Sequence, residues 1–399
     1  MKTKSRKKIY FFLNYSPEEI FGGQIRSCAM IKFYASLGFD VNGCYIDTSN
    51  SESKQNIDES KNFFKIHRSL KDYIGWHGGQ HLANDFMLNN PSNYEQLINN
   101  IKSVNPDIFV FEEPWLFALQ NIPSFKALLN GKKIIYDSHN LEHVMLQNIN
   151  PDAKLVEATK NLEIELCKSA DLLIATSKGE YNFFTLHKQQ RANLVLIPNC
   201  SNLYLPNTSS KSIKDIFKDN IIFSFISSAH TPNVLSAKEL FCFMPLFLDE
   251  NSKIAICGGI SRHILQFVQK LPTAELWLEK LLFVPKLTRD EIMWVYNLSH
   301  AIILPILYGD GTNIKTAEAL LSNKYVIGTN KAFRGYEAFT NHNGVISVES
   351  MQSLRDEMYK FSYSKSKNYL QSYNRNLEEH LTWNSLLQKS LKDYLLKLD

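Results

Sequence analysis

Short apolar runs alternate with amphipathic helical stretches along almost the whole chain. Ile9–Leu13 leads into helical periodicity from about Gly23 to Leu37, and Val41–Ile46 follows. Ile108–Phe111, Lys133–Tyr136, Leu172–Ala175 and Leu194–Ile197 continue the first series of candidate strands. A second series runs through Ile221–Ile226, Ile254–Cys257, Leu281–Val284, Ala301–Leu304 and Tyr325–Ile327. Runs this short and this apolar, separated by helical periodicity, predict parallel strands covered by helices on both faces. The right-handedness of strand–helix–strand crossovers then makes each sheet doubly wound. The segment Ser366–Leu398 carries Leu and Tyr at helical spacing and predicts one or two long helices.

Between the two series lies Pro198–Asn220, with Pro206, Asn207, Thr208, Ser209 and Ser210 at its centre. This polar stretch reads as an interdomain linker. The expected organisation is a first Rossmann-like domain over 1–205, a second over 206–370, and a terminal helical segment over 371–399. Asp47–Asn62 has no apolar periodicity and reads as a mobile loop. Two open parallel sheets of this kind would bind ligands at the carboxyl ends of their strands, where helix N-termini offer unpaired N–H groups.

Length agrees with that division, since 399 residues at roughly 150 per domain give two to three domains. At 44% hydrophobic and 21% charged residues, the composition suits a folded enzyme rather than a disordered or collagen-like chain. The net charge of +4 is too mild to point to nucleic acid. A small lysine surplus leaves peripheral contact with an anionic membrane surface open. Six cysteines with no C-x-x-C pair suggest neither a zinc site nor a disulfide framework. The basic start (Lys2, Lys4, Arg6, Lys7, Lys8) is followed only by Ile9–Leu13, too short for the apolar core of an export signal. The expected location is the cytoplasm, with membrane association allowed.

Two segments carry candidate chemistry. Gly22-Gly23-x-x-Arg26 opens the first helix, where glycines let backbone N–H groups approach an anion and Arg26 could add a forked donor. In the second half, strand Ala301–Leu304 runs through Gly309-Asp310-Gly311-Thr312-Asn313 into a helix bearing Lys315 and Glu318. A diphosphate at that helix start would meet free N–H groups, the Thr312 hydroxyl and the Lys315 ammonium. Glu318, one turn further along the same face, could accept ribose hydroxyls.

These residues resemble a known family. Gly309-x-Gly311-Thr312-x-x-Lys315-x-x-Glu318-Ala319-Leu320 followed by Val326-Ile327-Gly328-Thr329 is similar to the donor-binding signature of GT-B glycosyltransferases of family 4, the "group 1" type. Gly22-Gly23-x-x-Arg26 resembles the family's first-domain glycine loop. Tyr136-Asp137-Ser138-His139-Asn140-x-Glu142 resembles its Asp-x-His-Asn strand end. Ile197-Pro198-Asn199, Pro232-Asn233, Phe283-Val284-Pro285 and Trp383 resemble further family segments in the same order, so that the likeness spans residues 9 to 385. Cys200 stands where glycine is usual.

The resemblance implies a GT-B fold, with two Rossmann-like domains facing a central cleft and a C-terminal helix crossing back to the first domain. It implies transfer of a sugar from a nucleoside diphosphate sugar to an acceptor hydroxyl with retained configuration, without a metal ion or other cofactor. The acceptor would be a glycan, free or lipid- or protein-linked, of the kind used in cell-envelope polysaccharide synthesis. His139 and Asp310 would contact the transferred sugar. Gly23, His230, Val284, Gly311, Thr312, Asn313, Lys315 and Glu318 would bind the donor, and Gly22 and Arg26 would lie on the acceptor or phosphate side.

Two departures bear on this. Asp310 replaces the usual first glutamate of a Glu-x7-Glu pair, and Ser227-Ser228-Ala229-His230 replaces the Arg and Lys that many members place at the start of the second domain. Phosphate charge then falls to Lys315 and the helix terminus, with Arg26 or His230 assisting. An epimerase-like GT-B enzyme and a non-catalytic sugar-binding protein are the alternatives. A remote one is a zinc hydrolase, because His139-Asn140-Leu141-Glu142-His143 fits H-x-x-E-H. That chemistry would require both histidines on one helix face. His77 and His81 are separated by two glycines, and with Trp76 they mark Tyr73–Phe86 as a candidate acceptor-side segment.

Overall fold

The computed structural model describes residues 6–17, 22–47, 62–67, 91–149, 152–202, 215, 217, 221–309, 311–363 and 376–398. Asp310, the loop over 48–61, the Tyr73–Phe86 segment and the linker centre over Pro206–Ser210 lie outside the described residues. The chain separates into two compact units, one of Met1–Pro198 with Leu387–Asp399, the other of Asn199–Leu386.

In the first unit the elements run β1 (Lys8–Leu13), α1 (Gly22–Ser36), β2 (Asp40–Asp47), β3 (Phe63–His67), α2 (Pro91–Val104), β4 (Ile108–Phe111), α3 (Pro123–Leu129), β5 (Lys133–Asp137), α4 (Glu142–Ile149), α5 (Ala153–Ser169), β6 (Leu172–Ala175), α6 (Lys178–His187) and β7 (Asn193–Leu196). The strands pair in parallel in the order β3-β2-β1-β4-β5-β6-β7. Strand order reverses at β1 and β4, and a crevice opens beyond the carboxyl ends of such a pair. One face of the sheet packs Tyr10, Phe12, Phe109, Phe111, Ile134 and Tyr136 under helices, with Phe12 and Phe111 stacked 4.5 Å apart. Near the carboxyl end of the chain, the Lys7 Nζ donates to the Leu398 carbonyl at 2.9 Å.

The second unit repeats the scheme: β8 (Ile221–Ile226), α7 (Thr231–Phe241), β9 (Ser252–Cys257), α8 (Ile260–Val268), α9 (Ala274–Lys280), β10 (Leu281–Val284), α10 (Arg289–Leu298), β11 (Ala301–Leu304), α11 (Ile314–Leu321), β12 (Tyr325–Thr329), β13 (Val345–Val348) and α12 (Met351–Tyr363). Its parallel order is β10-β9-β8-β11-β12-β13, with the reversal at β8 and β11. Side chains alternate between two cores. Ile222, Ala255, Cys257, Ile302 and Val326 face one layer, and Phe223, Ile254, Ile256, Ile303 and Ile327 face the other.

Two strands, β3 and β13, were not expected from the apolar pattern. Each is an edge strand with partly exposed side chains, so neither shows the continuous apolar run of a central parallel strand. The expected long C-terminal helices are corrected. Residues 376–398 form three short ones, α13 (Glu378–Leu381), α14 (Trp383–Ser390) and α15 (Lys392–Leu396). The break after α13 is fixed by Thr382, which is extended and bridges Ser201, while the Ser201 N–H donates to the Leu381 carbonyl at 2.9 Å.

Candidate active site

In the first unit, polar residues gather where β1, β4 and β5 end. Asn14 follows β1, Glu112 and Glu113 follow β4, and Asp137 and His139 close β5; all are at most 9% exposed. The His139 ring lies between the two glutamates, with Nε2 3.5 Å from Glu112 and Nδ1 3.6 Å from Glu113. Ser27 donates to Glu112 and Asn14 to Glu113. Burial raises the pKa of both carboxyls, that of Glu113 to about 7. Burial works against a charged His139, but Glu112 and Glu113 overcome it and the His139 pKa lies above its ordinary value.

The start of α1 approaches this cluster closely. A Cβ on Gly23 would stand 3.3 Å from the His139 Nδ1, so the glycine makes room for the ring. Gly22, one residue earlier, is exposed. Arg26 is not a free phosphate ligand: 1% exposed, it donates to Asp137 from Nε (3.1 Å) and Nη2 (2.5 Å) and to the Ile197 carbonyl from Nη1 (3.2 Å). Buried pairing of this kind commits the guanidinium to the fold.

The H-x-x-E-H reading does not survive the geometry. His139 precedes α4, which begins at Glu142, so the two histidines do not share a helix face. His143 pairs with Glu163 of α5, which also accepts from the backbone N–H groups of Glu142 and His143 at 2.8 and 3.4 Å. Glu163 thus caps the start of α4. Among the described residues no group of His, Cys, Asp or Glu side chains is arranged to hold a metal ion.

In the second unit, β11 leads through Ile306 to a loop in which Gly309 has φ +106°, a conformation that favours glycine. The Arg334 guanidinium donates to the Gly311 carbonyl from Nε (2.9 Å) and Nη2. Asn313 caps α11 without a side-chain capping bond, and its buried Nδ2 has no hydrogen-bond partner. Thr312 is 7% exposed; its hydroxyl oxygen accepts from the Asn199 N–H at 2.9 Å, and the Asn199 side chain donates to the Thr312 carbonyl at 2.8 Å. Asn199 therefore splints the helix start.

Lys315 reaches back across the sheet end. Its Nζ donates to Ser227 Oγ (2.8 Å), just past β8, and to Asn233 Oδ1 (2.9 Å) on α7. Burial lowers the Lys315 pKa to about 7, with Glu318 pulling weakly the other way. A buried ammonium held by two neutral oxygens lacks an adjacent counter-charge, and an anion would supply it. His230 caps α7 on the same loop, and Val284 is buried at the end of β10, where its carbonyl accepts from the Gly258 N–H at 2.8 Å.

Glu318, expected to accept ribose hydroxyls, is engaged by groups of the protein. It accepts from Arg289 Nη1 (2.5 Å), Ser201 Oγ (3.2 Å) and the Tyr296 hydroxyl (2.8 Å). That fills three of roughly four lone-pair positions on a carboxylate. Sequence reasoning missed Glu112, Glu113, Arg289 and Arg334. The only available signal was position, since Glu112-Glu113 directly follows a buried strand at the sheet's switch point.

Several solved structures share this architecture. Sucrose-phosphate synthase from Thermosynechococcus elongatus aligns with a TM-score of 0.74 at 13% identity, covering 98% of this chain and 99% of that one. HepE from Anabaena, solved in complex with UDP and glucose, aligns at 0.68 and 12%, covering 98% and 100%. A trehalose 6-phosphate synthase from Burkholderia multivorans aligns at 0.63 and 10%, covering 99% and 96%. No protein-family model and no curated protein sequence matches the chain. The two sheets and their helices are those of the GT-B fold. Identity this low extends the likeness to the fold alone.

Proposed function

We propose that this GT-B protein is a family 4-type glycosyltransferase that moves a sugar from a nucleoside diphosphate sugar to an acceptor hydroxyl with retention of configuration. One observation carries the reading: the under-compensated Lys315 ammonium, held by Ser227 and Asn233 beside the uncapped start of α11. A departing diphosphate needs such a fixed cation and such N–H groups, and both are in place before it leaves. In this reading the leaving-group charge is met by Lys315, the α11 terminus and the Thr312 hydroxyl proton, so transfer proceeds without a metal ion.

His139 contacts the sugar being transferred and Asp310 binds its hydroxyls. The GT-B neighbour crystallised with UDP and glucose supports the choice of donor class. Acceptor chemistry in this reading is a glycan hydroxyl of the cell envelope, reached in the cytoplasm, with peripheral membrane contact where the acceptor is lipid-linked.

Incubation with a panel of UDP-, GDP- and ADP-sugars, with products followed by mass spectrometry, tests the proposal. Release of nucleoside diphosphate with glycosylation of an added glycan is expected. An epimerised donor, or binding of every donor without turnover, would replace the transferase reading with an epimerase or a binding protein.

A further inference from the structure

Glu112 and Glu113 are buried carboxylates on either side of the His139 ring. Consecutive residues in an irregular segment past a strand place one carboxylate beside each ring nitrogen, at 3.5 and 3.6 Å. Both distances suit a charge contact rather than a hydrogen bond, and the buried Nε2 has no hydrogen-bond partner. The groups that donate to the glutamates here are neutral, Ser27 to Glu112 and Asn14 to Glu113. Arg26, the nearest cation on α1, is committed to Asp137. Gly23 lies against the Nδ1–Cε1 edge of the ring.

Two carboxylates withdrawn from water repel each other and favour a proton on whatever lies between them. We propose that Glu112 and Glu113 are positioning residues that hold the His139 imidazole protonated and in one orientation, one carboxylate at each ring nitrogen. This rests on the reading of His139 as the sugar-contacting residue, because it supplies that contact with a fixed cation. The groups facing His139 set the balance. Glu112 and Glu113 past β4 favour the charged ring, while Arg26 on α1 and burial oppose it. Glu112 and Glu113 together raise the His139 pKa above its ordinary value despite burial.

Histidine-imidazole NMR titration of the full-length protein tests the clamp independently of catalysis, with His139→Gln assigning the resonance. The wild-type ring is expected to titrate above 6.5. Glu112→Gln and Glu113→Gln should each lower that value by about one unit or more. The alkaline limb of the turnover profile should move down with it while the donor KM holds. A ring that titrates identically in wild type and both variants overturns the proposal. Should the variants not fold, a wild-type value at or below 6.5 overturns it. A clamp seen by NMR together with unimpaired turnover in His139→Gln supports the positioning claim and instead removes His139 from the sugar site.

Discussion

Lys315 and Glu318 sit three residues apart on α11 and do different work. Lys315 loses its ordinary basicity because it is buried without an adjacent carboxylate, and Glu318 is consumed by Arg289, Tyr296 and Ser201. A bound diphosphate would restore the Lys315 charge. Donor binding should therefore take up a proton above pH 7 and weaken by up to about tenfold per pH unit as pH rises. Calorimetric titration across that range checks this, and Lys315→Ala should bind more weakly and lose the dependence.

The same group affects stability with a definite sign. Its folded pKa lies below the unfolded value of 10.5, so the penalty is fully present below pH 7 and fades as pH rises through 10.5. Lys315→Met should accordingly melt higher than wild type at pH 6, and a lower melting temperature there would contradict the assignment. Glu318→Ala removes the buried carboxylate that accepts from Arg289 and Tyr296. It should cost about 3 kcal/mol in denaturant unfolding. Weakened donor binding in a Glu318 variant of wild-type stability would support the ribose role.

Among elements, the strand ends decide what was legible. Asp137 and His139 could be found because they close a strongly apolar strand inside an ordered set of motifs, and the α11 entry stood out by its glycines. The Glu112-Glu113 pair looks in sequence like any acidic loop. Only its place past β4, beside β1 and β5, makes it part of the cluster. Arg289 and Arg334 come from other crossovers, and no local spacing ties them to α11. Edge strands β3 and β13 escaped notice because half-exposed side chains dilute the apolar run.

The turn after β9 shows how tightly such an end is built. Gly258 has φ +88°, and a Cβ there would stand 2.6 Å from the Ser227 carbonyl oxygen, beside the hydroxyl that holds Lys315. Gly258→Ala should lower stability by about 2 kcal/mol or more and weaken donor binding together. A thermal melt with and without nucleotide reads both effects, and an unchanged melt with unchanged affinity would contradict this account.

At the scale of the whole molecule, two parallel sheets with strand order reversing at β1/β4 and β8/β11 each present a polar cluster at the switch point, as the alternating pattern implied. Among the described residues no helix is long and apolar enough to cross a membrane. The fold was readable because central parallel strands advertise themselves. The identities of sugar, base and acceptor depend on contacts that no periodicity encodes.

The central claim is that the second unit holds a nucleoside diphosphate at the start of α11 through Lys315. Equilibrium binding of UDP, GDP and ADP to the full-length protein and to Lys315→Ala tests it most directly. The account predicts that at least one diphosphate binds the wild-type protein and that the substitution weakens it by about tenfold or more. Equal affinity in the two proteins, or no binding of any nucleoside diphosphate to the folded wild type, would contradict it.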